Sequence, residues 1–142
     1  MSRWLRNMSL YFAAGSLGGL MNSIALWLFG AYGINTALQV AIHPRLTPGW
    51  LYPRIVWGGL WGLLFVLPLV KSRFFLRGLM LSLGPTLAQL FYIFPTIQHQ
   101  GMLGLKLGVL TPVLVILVNA IWGIAAAQCH MGHCRGALAS PD

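Results

Sequence analysis

A chain of 142 residues with one acidic side chain, Asp142 at its last position, lacks the means for much of protein chemistry. It has no carboxylate pair for general acid–base hydrolysis and no oxygen cage for Mg²⁺ or Ca²⁺. It also lacks the Asp or Glu relay that many ion-coupled carriers use inside the membrane. Charge of either sign is scarce: 7% of the residues are charged, against about 25% in an ordinary soluble domain. An enzyme is therefore not expected, and neither is a normally hydrated surface.

Apolar residues are abundant. They make up 58% of the chain, with a mean hydropathy of +0.77, so lipid is the expected solvent. Nine Lys and Arg residues give a net charge of +8, but they stand in ones and twos beside apolar runs. This is how charges flank membrane spans, so a nucleic-acid partner is not expected. Four segments, Leu10–Tyr32, Leu51–Val70, Phe74–Phe94 and Gly104–Ala127, each approach the roughly 20 residues that a bilayer crossing needs. The run from Leu10 to Ile34 is too long for a secretory h-region and reads as a retained span. Between the first two segments, Ile34, Leu38 and Ile42 recur every fourth residue, which predicts a short interfacial amphipathic helix stopped by Pro44. The expected fold is an all-α, single-domain bundle of four transmembrane helices, with residues 128–142 as a cytoplasmic tail. Arg3, Arg6, Lys71, Arg73, Arg77 and Arg135 on one side outnumber Arg45, Arg54 and Lys106 on the other, which puts both termini in the cytoplasm.

Small residues recur at four-residue spacing: Ala14 and Gly18, Gly15 and Gly19, Gly58 and Gly62, and Gly104 and Gly108. Such rows let helix backbones approach closely, within one chain or between copies. Polar residues inside the spans are few: Asn22, Ser23, Ser82, Thr86, Gln89, Thr111 and Asn119. Ser82, Thr86 and Gln89 share a helix face beside Pro85, which frees a carbonyl one turn earlier. That face predicts either interhelical hydrogen bonds or a polar cavity that also takes in Asn22 and Asn119. Asn22 in "NSIALW" and Asn119 in "NAIWG" form a faint echo.

In "WLYPRIVWGGLWG", Pro53 suits the first turn of the second span, which places Trp50, Tyr52 and Trp57 near headgroup depth. Arg54 is then expected to snorkel outward as an anchor, like Arg77 and Lys106. The alternative is that Arg54 grips a lipid phosphate or a partner carboxylate. His43 and His99 lie at the rim and give no axial haem pair. The tail "QCHMGHCRG" offers Cys129, His130, His133 and Cys134 as zinc ligand types, but within too few residues to wrap an ion easily. An unliganded tail with reduced thiols is the simpler expectation, lipidation of Cys129 being the other alternative.

The phrases "GGLMNSIALWLFG", "LTPGWLYPRIVWGGLWGLLF", "RGLMLSLGPTLAQLF" and "GLKLGVLTPVLVILVNAIWG" resemble small four-span bacterial membrane proteins over about Tyr11 to Ala127. The resemblance implies a multi-pass protein of the bacterial inner membrane and supplies no catalytic residue. The fluoride-channel pattern does not fit, because "GSLGGLMNS" lacks the arginine and tyrosine that would follow. The functional expectation is a non-catalytic accessory or assembly subunit of a larger membrane complex, in contact with lipids and compatible with a bound lipid, quinone or pigment. The alternative is a homo-oligomeric channel or carrier for a small neutral or anionic solute.

Overall fold

The computed structural model describes residues 2–69 and 73–139, with side chains through Gly132. Within them the protein is helical. Helix α1 spans Arg3–Ala31 and opens on Ser2, whose hydroxyl accepts from the Leu5 N–H at 3.3 Å. It stops before Gly33, whose φ of +75° turns the chain. A single turn, α2 (Ile34–Ala37), leads into an irregular stretch. Helix α3 (Pro48–Gly62) runs on into a 3₁₀ turn, Leu63–Val66. The third long helix is composite: α4 (Phe74–Leu81), α5 (Leu83–Ala88) and a π-helical stretch, Gln89–Ile97. Pro85, which has no N–H, explains the break at Ser82, and Pro95 lies within the π-helical turns. After a short 3₁₀ turn, Met102–Gly104, α6 runs over Thr111–Ala139.

Among the described residues, three helices are long and apolar enough to cross a membrane: Arg3–Ala31, Phe74–Ile97 and Thr111–Gly132. The segment expected as the second span, Leu51–Val70, is not among them. It starts earlier, with Thr47 as cap and Pro48 rather than Pro53 in the first turn, and its α-helix ends after 15 residues at Gly62. Val70 and Lys71 lie outside the described residues. The expected interfacial helix is cut to one turn ending at Ala37, well short of Pro44, because the chain folds inward: Asn35 and Val40 are buried and the Ala41 N–H donates to Leu107 O at 2.8 Å. The segment expected as the fourth span, Gly104–Ala127, is helical from Thr111, not from Gly104. Gly104 and Gly108 have φ of +70° and +152° and belong to the preceding loop, where Gly108 lets the 39–40 backbone pass against it.

Helices α1 and α6 form the centre, with α3 packed on α1 and α4 on α6. Both contacts are backbone on backbone. A methyl group on Gly58 would lie 2.8 Å from Gly19 Cα, one on Gly62 2.7 Å from Gly15 Cα, and one on Gly78 2.8 Å from the Gly123 carbonyl carbon. Tyr11 stacks on His130 at 4.9 Å between ring centroids, so the start of α1 and the end of α6 share the terminal end of the bundle. The loops 32–47 and 98–110 form the opposite, loop end. Apolar clusters fill both ends: Leu26, Val40, Leu114 and Val118 toward the loops, and Phe65, Leu81, Trp122, Ala126 and Ala127 toward the termini. Between these clusters lies a polar layer.

Candidate functional site

The polar layer begins with rows of residues four apart. Gly15, Gly19 and Ser23 share one face of α1, and Gly58 and Gly62 share a face of α3 with Arg54. Where the two glycine rows meet, Arg54 is carried against α1. Its Nε–H donates to Ser23 Oγ at 3.0 Å and its Nη2 to Asn22 Oδ1 at 2.7 Å. The guanidinium also lies over the Trp50 ring, 4.8 Å from its centroid. Arg54 thus faces inward, in place of the outward-snorkelling anchor expected from the sequence. The glycine seam that bears it faces α1.

The network continues across the bundle. Asn22 Nδ2 donates to Val118 O at 2.7 Å and to Asn119 Oδ1 at 3.1 Å. Asn119 Nδ2 donates to Thr86 Oγ1 at 3.1 Å, and the Thr86 hydroxyl donates to Ser82 O at 2.7 Å. Ser23 donates to Gly19 O at 2.7 Å, which turns its lone pairs toward Arg54. Three helices and α3 are joined by side chains that are almost all fully buried. The polar groups are paired in this way because an unpaired one in lipid or in a packed core costs about 1–3 kcal/mol.

The paired groups leave part of the guanidinium free. Its Nε and Nη2 donors on one edge are used by Ser23 and Asn22, and Nη1 meets no described protein acceptor. The end-on Nη1–Nη2 edge is the fork that binds a carboxylate or phosphate with two parallel hydrogen bonds. The chain's one carboxylate side chain, Asp142, lies outside the described residues, so every described group near Arg54 is neutral or cationic.

Arg54 borders two adjoining spaces. A cleft of about 420 Å³ runs between α3 and the α5–π-helical stretch, floored by Gly19, Asn22, Asn119 and Trp122. Its walls are Trp57 and Trp61 on one side and Ala88, Gln89, Tyr92, Ile93 and Ile97 on the other. A second space of about 290 Å³ lies toward the loops, bordered by His43, Trp50, Gln89, Gln98 and Gln100. Arg54, Gln89 and Gln98 border both.

The remaining predicted residues fall elsewhere. Gly18 packs against Trp122, whose indole N–H donates to Gly15 O at 3.0 Å. Arg77 donates to Phe65 O and Leu67 O, capping carbonyls at the end of the 3₁₀ turn, and lies over the Phe65 ring. Tyr52, Trp57 and Lys106 are exposed, while Trp50 packs inward on the loop-end cluster. In the tail, His130 packs near Tyr11 and Phe65 and Cys129 is half-buried. The side chains of His133 and Cys134 lie outside those described, and among the described residues no three potential metal ligands gather.

Sequence reasoning named the asparagines and the arginine separately and missed their union. The available signal was register: Arg54 precedes Gly58 and Gly62 by four and eight residues, so the seam and the cation had to face the same neighbour. No family model, curated protein or solved structure matches the chain.

Proposed function

We propose that this membrane protein is a non-catalytic binding subunit that holds an anionic group at Arg54. The observation that carries this reading is the free guanidinium fork, set in a cleft with no carboxylate partner among the described residues. A cation inside a span is costly unless it is paired, and no described residue supplies an anion to pair it. A ligand oxyanion completes the site, with Gln89 and Gln98 beside it to donate further hydrogen bonds.

We place the subunit in the bacterial inner membrane, both termini cytoplasmic, where the 15-residue α3 and its 3₁₀ extension serve as a fourth crossing of roughly 30 Å. An accessory role in a larger complex suits this chemistry better than a channel. The polar layer ends at Ser82 and is followed by the apolar cluster of Phe65, Leu81, Trp122 and Ala126, which offers an ion no continuing row of partners. The test is thermal unfolding of the detergent-solubilised protein with inorganic phosphate. Phosphate raises the midpoint of the native protein in proportion to log concentration and leaves Arg54→Gln unmoved. Equal shifts in both proteins would refute the site. Arg54-dependent anion flux through liposomes holding only this chain would favour the channel instead.

A further inference from the structure

We infer that the ligand of the Arg54 site is an anionic amphiphile taken from the bilayer, its oxyanion on the guanidinium and its hydrocarbon chain in the cleft between α3 and the π-helical stretch. This rests on the anion-binding reading above and names the class of molecule bound.

Three observations separate an amphiphile from a free anion. The first is that the two spaces meeting at Arg54 differ in kind. The smaller, toward the loops, is bordered by His43, Gln98 and Gln100, groups suited to a hydrated head. The larger is walled by Trp57, Trp61, Tyr92, Ile93 and Ile97, which hydrate poorly and pair well with methylenes. A free phosphate uses the first space and gives the second no purpose. The second observation is that the cleft is open along its side. Trp57, Tyr92 and Ile97 are each 60–62% exposed, and they stand on helices that the proposed topology sets in lipid, so a chain can enter laterally without crossing the loops. The third is that the floor is already engaged within the protein. Asn22 donates its amide hydrogens to Val118 O and Asn119 Oδ1, and Asn119 donates to Thr86 Oγ1. The fork of Arg54, with Gln89 and Gln98 beside it, is therefore turned toward a head, while the aromatic and aliphatic walls accept an apolar chain. A phosphate monoester or a carboxylate fits the fork equally, and the shared chemistry is a single terminal oxyanion on a hydrocarbon.

The test uses tryptophan fluorescence, because Trp57 and Trp61 line the proposed chain site and Trp50 lies beside the head site. The full chain is placed in nanodiscs of phosphatidylcholine containing a few per cent of phosphatidic acid with brominated acyl chains. Brominated phosphatidylcholine and brominated diacylglycerol at the same fraction serve as controls. Selective occupancy gives several-fold more quenching by the phosphatidic acid than by either control. A brominated fatty acid in a fourth arm distinguishes carboxylate from phosphate heads. Arg54→Gln reduces the phosphatidic acid signal to the control level. Ile97→Gln, at an exposed wall position, weakens apparent affinity by about fourfold for each methylene of the bound chain that it leaves uncovered.

Equal quenching by all lipids, with phosphate still stabilising the native protein, would leave the anion site standing and overturn the amphiphile. Loss of both signals would overturn the anion reading itself. Selective quenching that survives Arg54→Gln would place the lipid elsewhere and also refute the proposal.

Discussion

At the scale of single residues, Arg54 and Asn22 act as one unit. Replacing Asn22 by Leu removes the acceptor for Nη2 and the donor to Asn119 together, leaving a half-buried cation with Ser23 as its one hydrogen-bond acceptor among the described residues. We expect Asn22→Leu to cost about 2–4 kcal/mol, more than the roughly 0.6 kcal/mol typical of a single interhelical hydrogen bond in a membrane. Ser23→Ala, which removes only the Nε acceptor, should cost about 1 kcal/mol. Denaturant titration in mixed micelles measures both, and equal small losses would show that the network is not coupled. Arg54→Lys retains the charge but not the planar edge that engages Ser23 and Asn22 together, so it should behave more like Arg54→Gln than like the native residue.

At the scale of elements, the glycine contacts differ in what they tolerate. Gly123 faces Gly78 across the α4–α6 crossing, and a methyl group there meets the Gly78 carbonyl as well as Ser82. Gly123→Ala should destabilise by about 1–3 kcal/mol through the enforced separation of backbones. Gly132 lies on the same helix with nothing within 4 Å of an added methyl group, so Gly132→Ala should stabilise by about 0.5–1 kcal/mol. Thermal midpoints of the two variants decide the matter, and a like sign would contradict the packing described. The row of small residues around Gly15, Gly58 and Gly62 was plain in the sequence because one spacing serves any close helix pair. Gly104 and Gly108 show the limit of that rule: they have the same spacing, but positive φ places them in a loop. The inward fold of residues 38–42 was equally hidden. Its register of Ile34, Leu38 and Ile42 imitates an amphipathic helix, whereas the pairing that decides it, Ala41 with Leu107, is distant in sequence.

At the scale of the whole molecule, the stacking of Tyr11 on His130 places both chain ends on one side of the bundle. A single cysteine at exposed Asn7 and another at exposed Thr47, each in a background without Cys129 and Cys134, should therefore be labelled from opposite faces of sealed vesicles. Labelling of both from the same face would break the topology. The helical class and the apolar spans could be read from composition, because lipid demands them. The cleft could not, since it depends on where α3 stops and on how far the π-helical stretch stands from it, neither of which a hydropathy pattern encodes.

The hydrogen-bond chain from Arg54 through Asn22, Asn119 and Thr86 to the Ser82 carbonyl runs in one sense, every group donating away from the guanidinium. Its dipoles therefore lie head to tail, like compass needles aligned by a single magnet, with Arg54 as the magnet. Amides do not relay protons, so the row holds an orientation without conducting. Neutralising Arg54 removes the bias on both asparagines and frees Asn22 to turn its carbonyl elsewhere. The side-chain amide resonances of Asn22 and Asn119 should then shift together in Arg54→Gln, although the bond between Asn119 and Thr86 is two steps removed from the mutation.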